Sequence, residues 1–528
     1  MKRQNPSIFN DIVGPTMVGP SSSHTCGPSR IGYLSQQILS STLKKATIEF
    51  AQKGAYTNMY KGQRSDLGFV NGLLGYRPEN PLLRDSINIA REKGITVDFV
   101  ISDFEPIFPN IAKLTLIGAD DEVAEVFSDS TGGGTVKLLK INGFDVAIVG
   151  DCYELLVRGP IDKKQESELF LKYIFSINEG FYSTVNDKEF MVNVKSREDF
   201  PQDILRKVKV FDGVTWVKVL KPILVVPSNR NAQIPFRSGE DLEKLCQETG
   251  QELWELGVEY EVARSGWTRS EVVDYMEYVI KTMESGVKEA LKGDINMHGI
   301  IQPTAGKIAK YIQNPANKLD IGVLATAVPW SMATMEYSSA MGVVLCAPTG
   351  GSAGVFPGAV LGVANHMDLP FEKKVEAMFA ASAIGIVMSK DHNYSAELYG
   401  CQVEPGAASA MAAGALVYLM GGTVKESLAA ASCAIQNILG LICDPVAGLV
   451  QVPCISRNAS SVANAVVSAT IVMGGYDPLI PLDQSAETMF RVGTQLPSEL
   501  RCTCEGGLCI TPCGQELAKE QEQRDQAR

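Results

Sequence analysis

Three cysteines with unusual neighbours are the residues of this sequence most able to do chemistry. Cys401, Cys443 and Cys454 each lie within two residues of a glycine or a proline, where helices and strands commonly end. Their separations of 42 and 11 residues differ from the closely paired cysteines of structural zinc sites. Three thiolates on an iron–sulfur cluster would leave one iron open as a Lewis acid. The alternative is that the three cysteines only fill the core, as small hydrophobic residues do.

Two runs rich in hydroxyl groups form a second set of candidates. Ser22, Ser23 and His24 lie between glycine–proline turns, where hydroxyl and backbone N–H groups can bind an anion and His24 can supply a proton or a charge. The serines can instead cap a helix that begins near residue 30. Thr349 and Ser352 lie in a glycine-rich turn that is equally well explained as a connection between helices.

Composition limits the partners and the location. The chain has 528 residues, of which 45% are hydrophobic and 20% charged, as in ordinary globular proteins. Its net charge of −12 disfavours nucleic acid and anionic lipid. No apolar segment follows the first three residues, and the most apolar stretch, 341–363, is interrupted by prolines. We therefore expect a cytoplasmic protein with no membrane and no nucleic acid partner, in which the twelve cysteines stay reduced.

Hydrophobic periodicity predicts three folded regions and a tail. Alternating residues predict strands at 46–50, 97–101, 112–117, 135–141 and 144–149, and hence an α+β domain over 1–157. Residues 158–228 alternate helix and strand signals (helices 167–177 and 201–208, strands 190–194 and 217–226), which predicts a small α/β domain. Beyond a linker, helical spacing at 241–256 and 270–291 and many alanines and glycines predict an all-helical domain over 236–515. Residues 516–528 predict a charged tail.

Taken together, these motifs resemble the iron–sulfur-dependent L-serine dehydratases, in the single-chain form with fused beta and alpha domains. The resemblance rests on runs of similar sequence at 21–25, 347–354, 400–402, 439–446, 453–459 and 500–512. It covers the N-terminal domain and nearly all of 236–515. It implies that Cys401, Cys443 and Cys454 hold a [4Fe–4S] cluster, over which the N-terminal domain closes. Residues 158–228 lie where some members carry an ACT-type regulatory domain, here a divergent one.

The resemblance also implies an activity. A lyase of this family removes water and then ammonia from L-serine, or from a close 3-hydroxy amino acid, and yields pyruvate, in amino acid degradation and gluconeogenesis. The partner is then a small-molecule amino acid substrate, which Ser22, Ser23, His24, Thr349 and Ser352 bind or polarise. A homodimer is expected only because it is the commonest assembly.

Two segments depart from the family pattern and keep other functions open. The family usually reads Gly-His-x-Thr-Asp where this chain has Gln63 within 62–66, and Glu-His-Asn/His-Leu-Gly where it has Gln436 to Gly440. The alternatives are the same cluster acting on another β-substituted acid, such as cysteine, and a catalytically silent ligand sensor.

Four late cysteines have no assigned part. Cys502, Cys504, Cys509 and Cys513 are too close together for a standard zinc finger. In some members of the resembled family the end of the chain reaches the cluster, so Cys509 or Cys513 is a candidate internal plug. The alternative is that all four are packed, reduced thiols.

Overall fold

A computed structural model describes residues 5–526 except 177, 315, 318, 390 and 391. The chain divides into two compact units. The helical unit comprises Met1–Ser23, Asn58–Arg64 and Ala232–Arg528, and the sheet unit comprises His24–Thr57 and Ser65–Asn231. The region before residue 232 is thus rich in β-sheet and the region after it is helical, as expected.

The strands and helices of the described residues are numbered in chain order. The strands are β1 Thr16–Val18, β2 Leu43–Ala51, β3 Thr96–Ser102, β4 Ile111–Gly118, β5 Val123–Gly132, β6 Thr135–Ile141, β7 Phe144–Ile148, β8 Tyr153–Pro160, β9 Gly180–Val185, β10 Glu189–Ser196, β11 Trp216–Leu220 and β12 Val343–Leu345. The helices are α1 Gly27–Gln36, α2 Tyr56–Met59, α3 Ser65–Leu73, α4 Ser86–Glu92, α5 Lys164–Ile174, α6 Gln202–Lys209, α7 Gly239–Thr249, α8 Leu253–Ser265, α9 Arg269–Leu291, α10 Ala305–Gln313, α11 Leu324–Ser339, α12 Val363–His366, α13 Phe371–Ser389, α14 Ala396–Tyr399, α15 Pro405–Leu419, α16 Val424–Gln436, α17 Cys454–Met473, α18 Leu482–Gln495 and α19 Pro512–Gln526.

The first sheet of the sheet unit has six strands in the order β3-β2-β4-β5-β6-β7, and only β2 and β3 are parallel. All five predicted strands are present, and β5 is an addition. Alternate residues of β2, such as Ile48 and Phe50, are fully buried. Helices α1 and α3 pack closely, since a Cβ at Gly72 would lie 2.0 Å from the Ser29 carbonyl oxygen. The alternation of buried and exposed residues therefore predicted five of the six strands of this sheet correctly.

The second sheet of the sheet unit is an antiparallel four-stranded sheet with the order β11-β8-β10-β9. With α5 after β8 and α6 after β10, the chain runs β-α-β-β-α-β, the ferredoxin-like order. The boundary expected at residue 157 lies inside β8. The strand expected over 217–226 is too long, because β11 ends at Leu220, before Pro222, which has no N–H to donate to a ladder.

The helical unit is built around α13, α15, α16 and α17. Helix α15 is buried on all sides from Pro405 to Val417, which its alanine-rich sequence permits. The helical spacing predicted at 241–256 belongs to two helices, because Gly250 adopts a φ of 73° and ends α7, and α8 begins at Leu253. The unit is also not entirely helical, since β1 pairs with β12 in an antiparallel ladder. No described helix is both long and apolar enough to span a membrane.

The expected charged tail is mostly helix α19, within which Gln521 is buried. Asp525 of this helix forms an ion pair with Arg64, at 3.6 Å, with both side chains largely buried. Residues 527 and 528 of the expected tail lie outside the described residues. The end of the described chain is thus docked on the helical unit.

Candidate active site

Cys401 lies in a short 3₁₀ turn that leads into α15. The preceding Gly400 has a φ of 75°, a left-handed conformation that favours glycine. A Cβ at this position would lie 2.8 Å from the carbonyl oxygen of Leu441. Gln402 secures the same approach, because its N–H donates to the Leu441 carbonyl at 3.2 Å and its Oε1 accepts from the N–H of Gly440 at 2.9 Å. The turn is thereby packed against the segment that carries the second cysteine.

Cys443 is held by the last segment of the chain. Its N–H donates to the carbonyl of Leu500 and its carbonyl accepts from the N–H of Cys502, both at 2.9 Å. These bonds form an isolated parallel β-bridge between Cys443 and Arg501. The thiols of Cys443 and Cys502 are also in hydrogen-bond contact. A fourth thiol therefore stands beside one of the three predicted cysteines.

Cys454 is the first residue of α17. One turn later, the Asn458 amide group donates to the carbonyls of Cys454, at 2.9 Å, and Gly351, at 2.8 Å. Its Oδ1 accepts from the N–H of Gly354 at 3.1 Å. Asn458 thus ties the start of α17 to the glycine-rich turn 347–354.

Two of the three predicted thiols meet at a carboxylate. The sulfur atoms of Cys401 and Cys443 and a carboxylate oxygen of Glu404 lie within 4.8 Å of one another. Cys454 lies outside this trio, but within electrostatic reach of it. Burial, and the negative charges of Cys401 and Glu404, raise the pKa of Cys454 well above its ordinary value.

Arg457 supplies positive charge to this group. Its Nη1 lies 2.8 Å from Asp444 Oδ1, 3.0 Å from the carbonyl oxygen of Ile442 and 3.8 Å from the sulfur of Cys401. The hydrogen bond from the Cys443 thiol, aided by the charge of Arg457, lowers the pKa of Cys401 although burial opposes it. Of the three predicted cysteines, Cys401 is thus the one that most readily becomes a thiolate.

Glu404 is oriented by the glycine-rich turn. The Thr349 hydroxyl donates to its Oε1 at 2.7 Å. A Cβ at Gly351 would lie 2.8 Å from its Oε2, so glycine leaves room for the carboxylate. Burial and the negative charge of Cys401 raise the pKa of Glu404 well above its ordinary value, and the Thr349 hydrogen bond only partly offsets them.

Two of the other predicted hydroxyl groups, those of Ser22 and Ser352, hold the turn itself. Ser352 Oγ donates to the carbonyl of Ala347 at 2.9 Å and accepts from the N–H of Thr349 at 3.1 Å. Ser22 Oγ accepts from the N–H of Gly350 at 3.1 Å. The structure therefore places Ser22 and Ser352 as supports of the turn, whereas the Thr349 hydroxyl faces the carboxylate.

His24 and Ser23 are buried at the junction of the two units along the chain. Ser23 ends the first segment of the helical unit, and His24 begins the sheet unit. The His24 ring meets the Tyr56 ring edge to face, with 5.1 Å between the ring centroids. The roles predicted for these two residues remain predictions.

The two segments that depart from the family pattern lie in different surroundings. The Gln436 amide donates to the carbonyl of Pro478 at 3.3 Å, at the far end of α17 from Cys454. Ile438 packs against Gly406 in the first turn of α15. Gln63 is buried, and its amide donates to the sulfur of Met59 at 3.2 Å. Of these residues, Ile438 touches the helix that follows Cys401.

Four residues at the site were not assigned from the sequence: Glu404, Asp444, Arg457 and Cys502. The first three lie within three residues of a predicted cysteine, and this spacing was a usable signal. Cys502 was singled out from the sequence only as one of four late cysteines without an assigned part, and a tertiary bridge brings it to the site. The two candidate plug cysteines, Cys509 and Cys513, lie in different surroundings from each other. Cys509 donates to the carbonyl of Pro445 at 3.2 Å, and Cys513 is exposed.

The buried thiols of Cys401 and Cys443 and the carboxylate of Glu404 form the class of group that could hold a metal ion. The sequence model of the serine dehydratase alpha chain matches residues 247–509. The chain is 35% identical over 285 residues to the probable L-serine dehydratase alpha chain of Bacillus subtilis, which covers 54% of this chain and 95% of that protein. It is 27% identical over 511 residues to L-serine dehydratase 1 of Escherichia coli, which covers 93% of this chain and 96% of that protein. The chain belongs to the L-serine dehydratase family, whose members are enzymes of the ammonia-lyase kind.

Proposed function

We propose that this protein is an L-serine ammonia-lyase. It would convert L-serine, or a close 3-hydroxy amino acid, into pyruvate and ammonia, with a [4Fe–4S] cluster held by Cys401, Cys443 and Cys454. The observation that carries this proposal is the meeting of two buried thiols with the Glu404 carboxylate within 4.8 Å. Relatives named L-serine dehydratase that align along nearly the whole chain support it.

The donor set suits such a cluster. Thiolates are the ligands that iron–sulfur clusters use in proteins, and these thiols are buried, away from competing water. The positive charge of Arg457 offsets the negative charge that deprotonated cysteines would gather there. When bound, the cluster supplies a Lewis acid that makes the substrate hydroxyl a better leaving group.

The residues of the chain would handle the substrate and its protons. Glu404, held by Thr349, is placed to give a proton to the hydroxyl that leaves the β-carbon. With the loss of the α-proton, this step forms 2-aminoacrylate and water. The enamine then tautomerises to an imine, and water hydrolyses it to pyruvate and ammonia. We assign the binding of the substrate to His24 and Ser23, and the support of the Thr349 turn to Ser22 and Ser352.

Anaerobic purification followed by iron, sulfide and activity analysis tests this function. We expect protein-bound iron and sulfide, and release of ammonia and pyruvate from L-serine without added pyridoxal phosphate. The substrate panel includes threonine, cysteine and hydroxy acids. Ammonia from cysteine but not from serine would favour the desulfidase alternative, and a loaded protein that turns over no member of the panel would favour the sensor.

We also propose that the four-stranded ferredoxin-like part of the sheet unit is a divergent ACT-type regulatory domain. Its β-α-β-β-α-β order supports this proposal. Thermal unfolding of the full chain with single amino acids tests it. A ligand that raises the unfolding temperature equally in the Cys443→Ser variant binds away from the thiols, and no shift with any amino acid would contradict the regulatory role.

We further propose a cytoplasmic homodimer. All twelve cysteines are free, which suits a reducing compartment. Exposed apolar side chains in the last turns of α17, Val467 and Ile471, and in the loop that follows it, Leu479, support self-association. Sedimentation of the purified protein tests the dimer, and a monomer at micromolar concentration would contradict it.

A further inference from the structure

The segment 500–509, here called the clasp, folds around residues 443–445. Besides the β-bridge to Cys443, the N–H of Leu508 donates to Asp444 Oδ2 at 2.9 Å. Gly507 lies so close to Asp444 that a Cβ would be 2.5 Å from Oδ2. The clasp therefore fixes the loop that carries Cys443.

Two cysteines of the clasp share one acceptor. Cys504 Sγ donates to the carbonyl oxygen of Pro445 at 3.5 Å, and Cys509 Sγ donates to the same oxygen at 3.2 Å. The two thiols are also in hydrogen-bond contact with each other. Two sulfur atoms that share one acceptor and contact each other are placed to bond to each other.

The two thiols differ in accessibility. Cys504 is partly exposed, whereas Cys509 is only 7% exposed. The hydrogen bond with Cys504, together with burial, raises the pKa of Cys509 above its ordinary value. Cys504 also has a φ of 62°, which lies in the left-handed region.

We propose that Cys504 and Cys509 form a modification site: a dithiol that a low-molecular-weight disulfide, such as glutathione disulfide, oxidises to an intramolecular disulfide. The Cys504 thiolate attacks one sulfur of glutathione disulfide, and the first glutathione leaves as a thiolate. The Cys509 sulfur then attacks the Cys504 sulfur of the mixed disulfide, loses its proton, and releases the second glutathione. The two cysteines lose two electrons, and the glutathione disulfide is reduced by the same two.

The disulfide changes the clasp, because neither sulfur can then donate to the carbonyl of Pro445. The affected carbonyl lies two residues after Cys443. The modification does not depend on the proposed activity, since it needs only the two thiols and the oxidant.

The test uses the full-length protein in glutathione buffers of increasing oxidised fraction, followed by alkylation of free thiols and peptide mass spectrometry. Wild type should lose two hydrogens in the peptide that spans 502–519, with Cys502 and Cys513 alkylated and Cys504 linked to Cys509. Cys509→Ser should instead trap one glutathione on Cys504. Cys504→Ser should leave Cys509 unmodified, because this thiol is buried.

Cys513→Ser is the matched control, because Cys513 is the exposed cysteine of the same peptide. It should not alter the link between Cys504 and Cys509. Serine keeps an O–H donor for Pro445, and circular dichroism checks that each variant folds. The proposal is overturned if Cys509 pairs with Cys513, if Cys509 binds glutathione in Cys504→Ser, or if wild type stays reduced in buffers that modify Cys513.

Discussion

Thr349 donates a hydrogen bond of 2.7 Å to Glu404, a residue 55 positions further along the chain. The bond joins the glycine-rich turn to the first residues after Cys401, and it aims the carboxylate at two thiols. Among the hydrogen bonds described above, the Thr349 hydroxyl is the predicted hydroxyl group that contacts the Glu404 carboxylate.

Thr349→Val removes this hydrogen bond while it keeps the shape of the side chain. A hydrogen bond to an uncharged group contributes about 0.5–1.5 kcal/mol, so we expect kcat/KM for serine to fall roughly 2- to 10-fold, with iron content unchanged. Ser352→Ala is the control, because it removes the acceptor of the Thr349 N–H within the same turn but leaves the bond from the Thr349 hydroxyl to Glu404. Equal losses of kcat/KM in both variants would show that the activity depends on the fold of the turn and not on the hydrogen bond to Glu404.

Serine substitutions distinguish the cysteines that bind iron from a cysteine that only contacts one of them. Cys401→Ser, Cys443→Ser and Cys454→Ser should each lose most of the protein-bound iron, measured per chain after anaerobic purification, because a hydroxyl replaces a soft ligand. Cys502→Ser should keep the iron, although this thiol contacts Cys443. Iron loss in Cys502→Ser as large as in Cys454→Ser would make Cys502 a ligand.

His24→Ala tests the sheet unit's contribution to catalysis. The side chain lies in a different unit from the thiols, so iron and sulfide content should match wild type. Turnover of serine should fall about 100-fold or more, the usual loss for a group that takes part in proton transfer or in polarising the substrate. A variant with normal turnover would remove His24 from the reaction.

Asp525→Asn tests the docking of α19. The Asp525–Arg64 pair is largely buried, so its loss should lower the free energy of unfolding by about 1–3 kcal/mol, measured in urea. Glu520→Gln is the control, because this residue pairs with Arg524 at an exposed position of the same helix. Its effect should stay within about 0.5 kcal/mol. Similar effects of both substitutions would mean that the buried pair contributes no more to the free energy of unfolding than the exposed pair does.

Glu261 gives stability a defined pH dependence. Its carboxylate accepts hydrogen bonds of 2.7 Å from Ser7 Oγ and from the N–H of Ile8, and so holds the N-terminal segment on α8. Burial raises the pKa of Glu261 to about 7. The folded protein then binds more protons than the unfolded chain between about pH 4.5 and 7. The free energy of unfolding should therefore fall as pH rises through this window, and level off above it.

Glu261→Gln should flatten part of this slope, because the amide does not titrate and can donate to Ser7 while its oxygen accepts from Ile8. A slope remains from Glu154, whose pKa burial also raises to about 7. Urea unfolding at several pH values measures both proteins. Identical slopes in wild type and variant would contradict the assignment to Glu261.

Much of the local structure followed from the sequence. The strands at 46–50 and 112–117 were predicted because a half-buried strand alternates its faces with period two. Helix boundaries were harder, as at Gly250, where a helical pattern continues across a residue that the fold places in a left-handed conformation. The ladder between β1 and β12 was not predicted, because its strands of three residues are too short to show a period.

The sequence by itself determined which cysteines, hydroxyl groups and histidine to consider, since residue types and their glycine and proline neighbours are local properties. Only the tertiary structure decided which of them meet. The approach of Cys401 to Cys443, of Thr349 to Glu404 and of Cys502 to Cys443 depends on bonds between distant segments. No local pattern encodes such approaches, because they result from the packing of the whole helical unit. The clasp is the clearest example of such an approach. The carbonyl oxygen of Pro445 accepts hydrogen bonds from two cysteines that lie about sixty residues further along the chain.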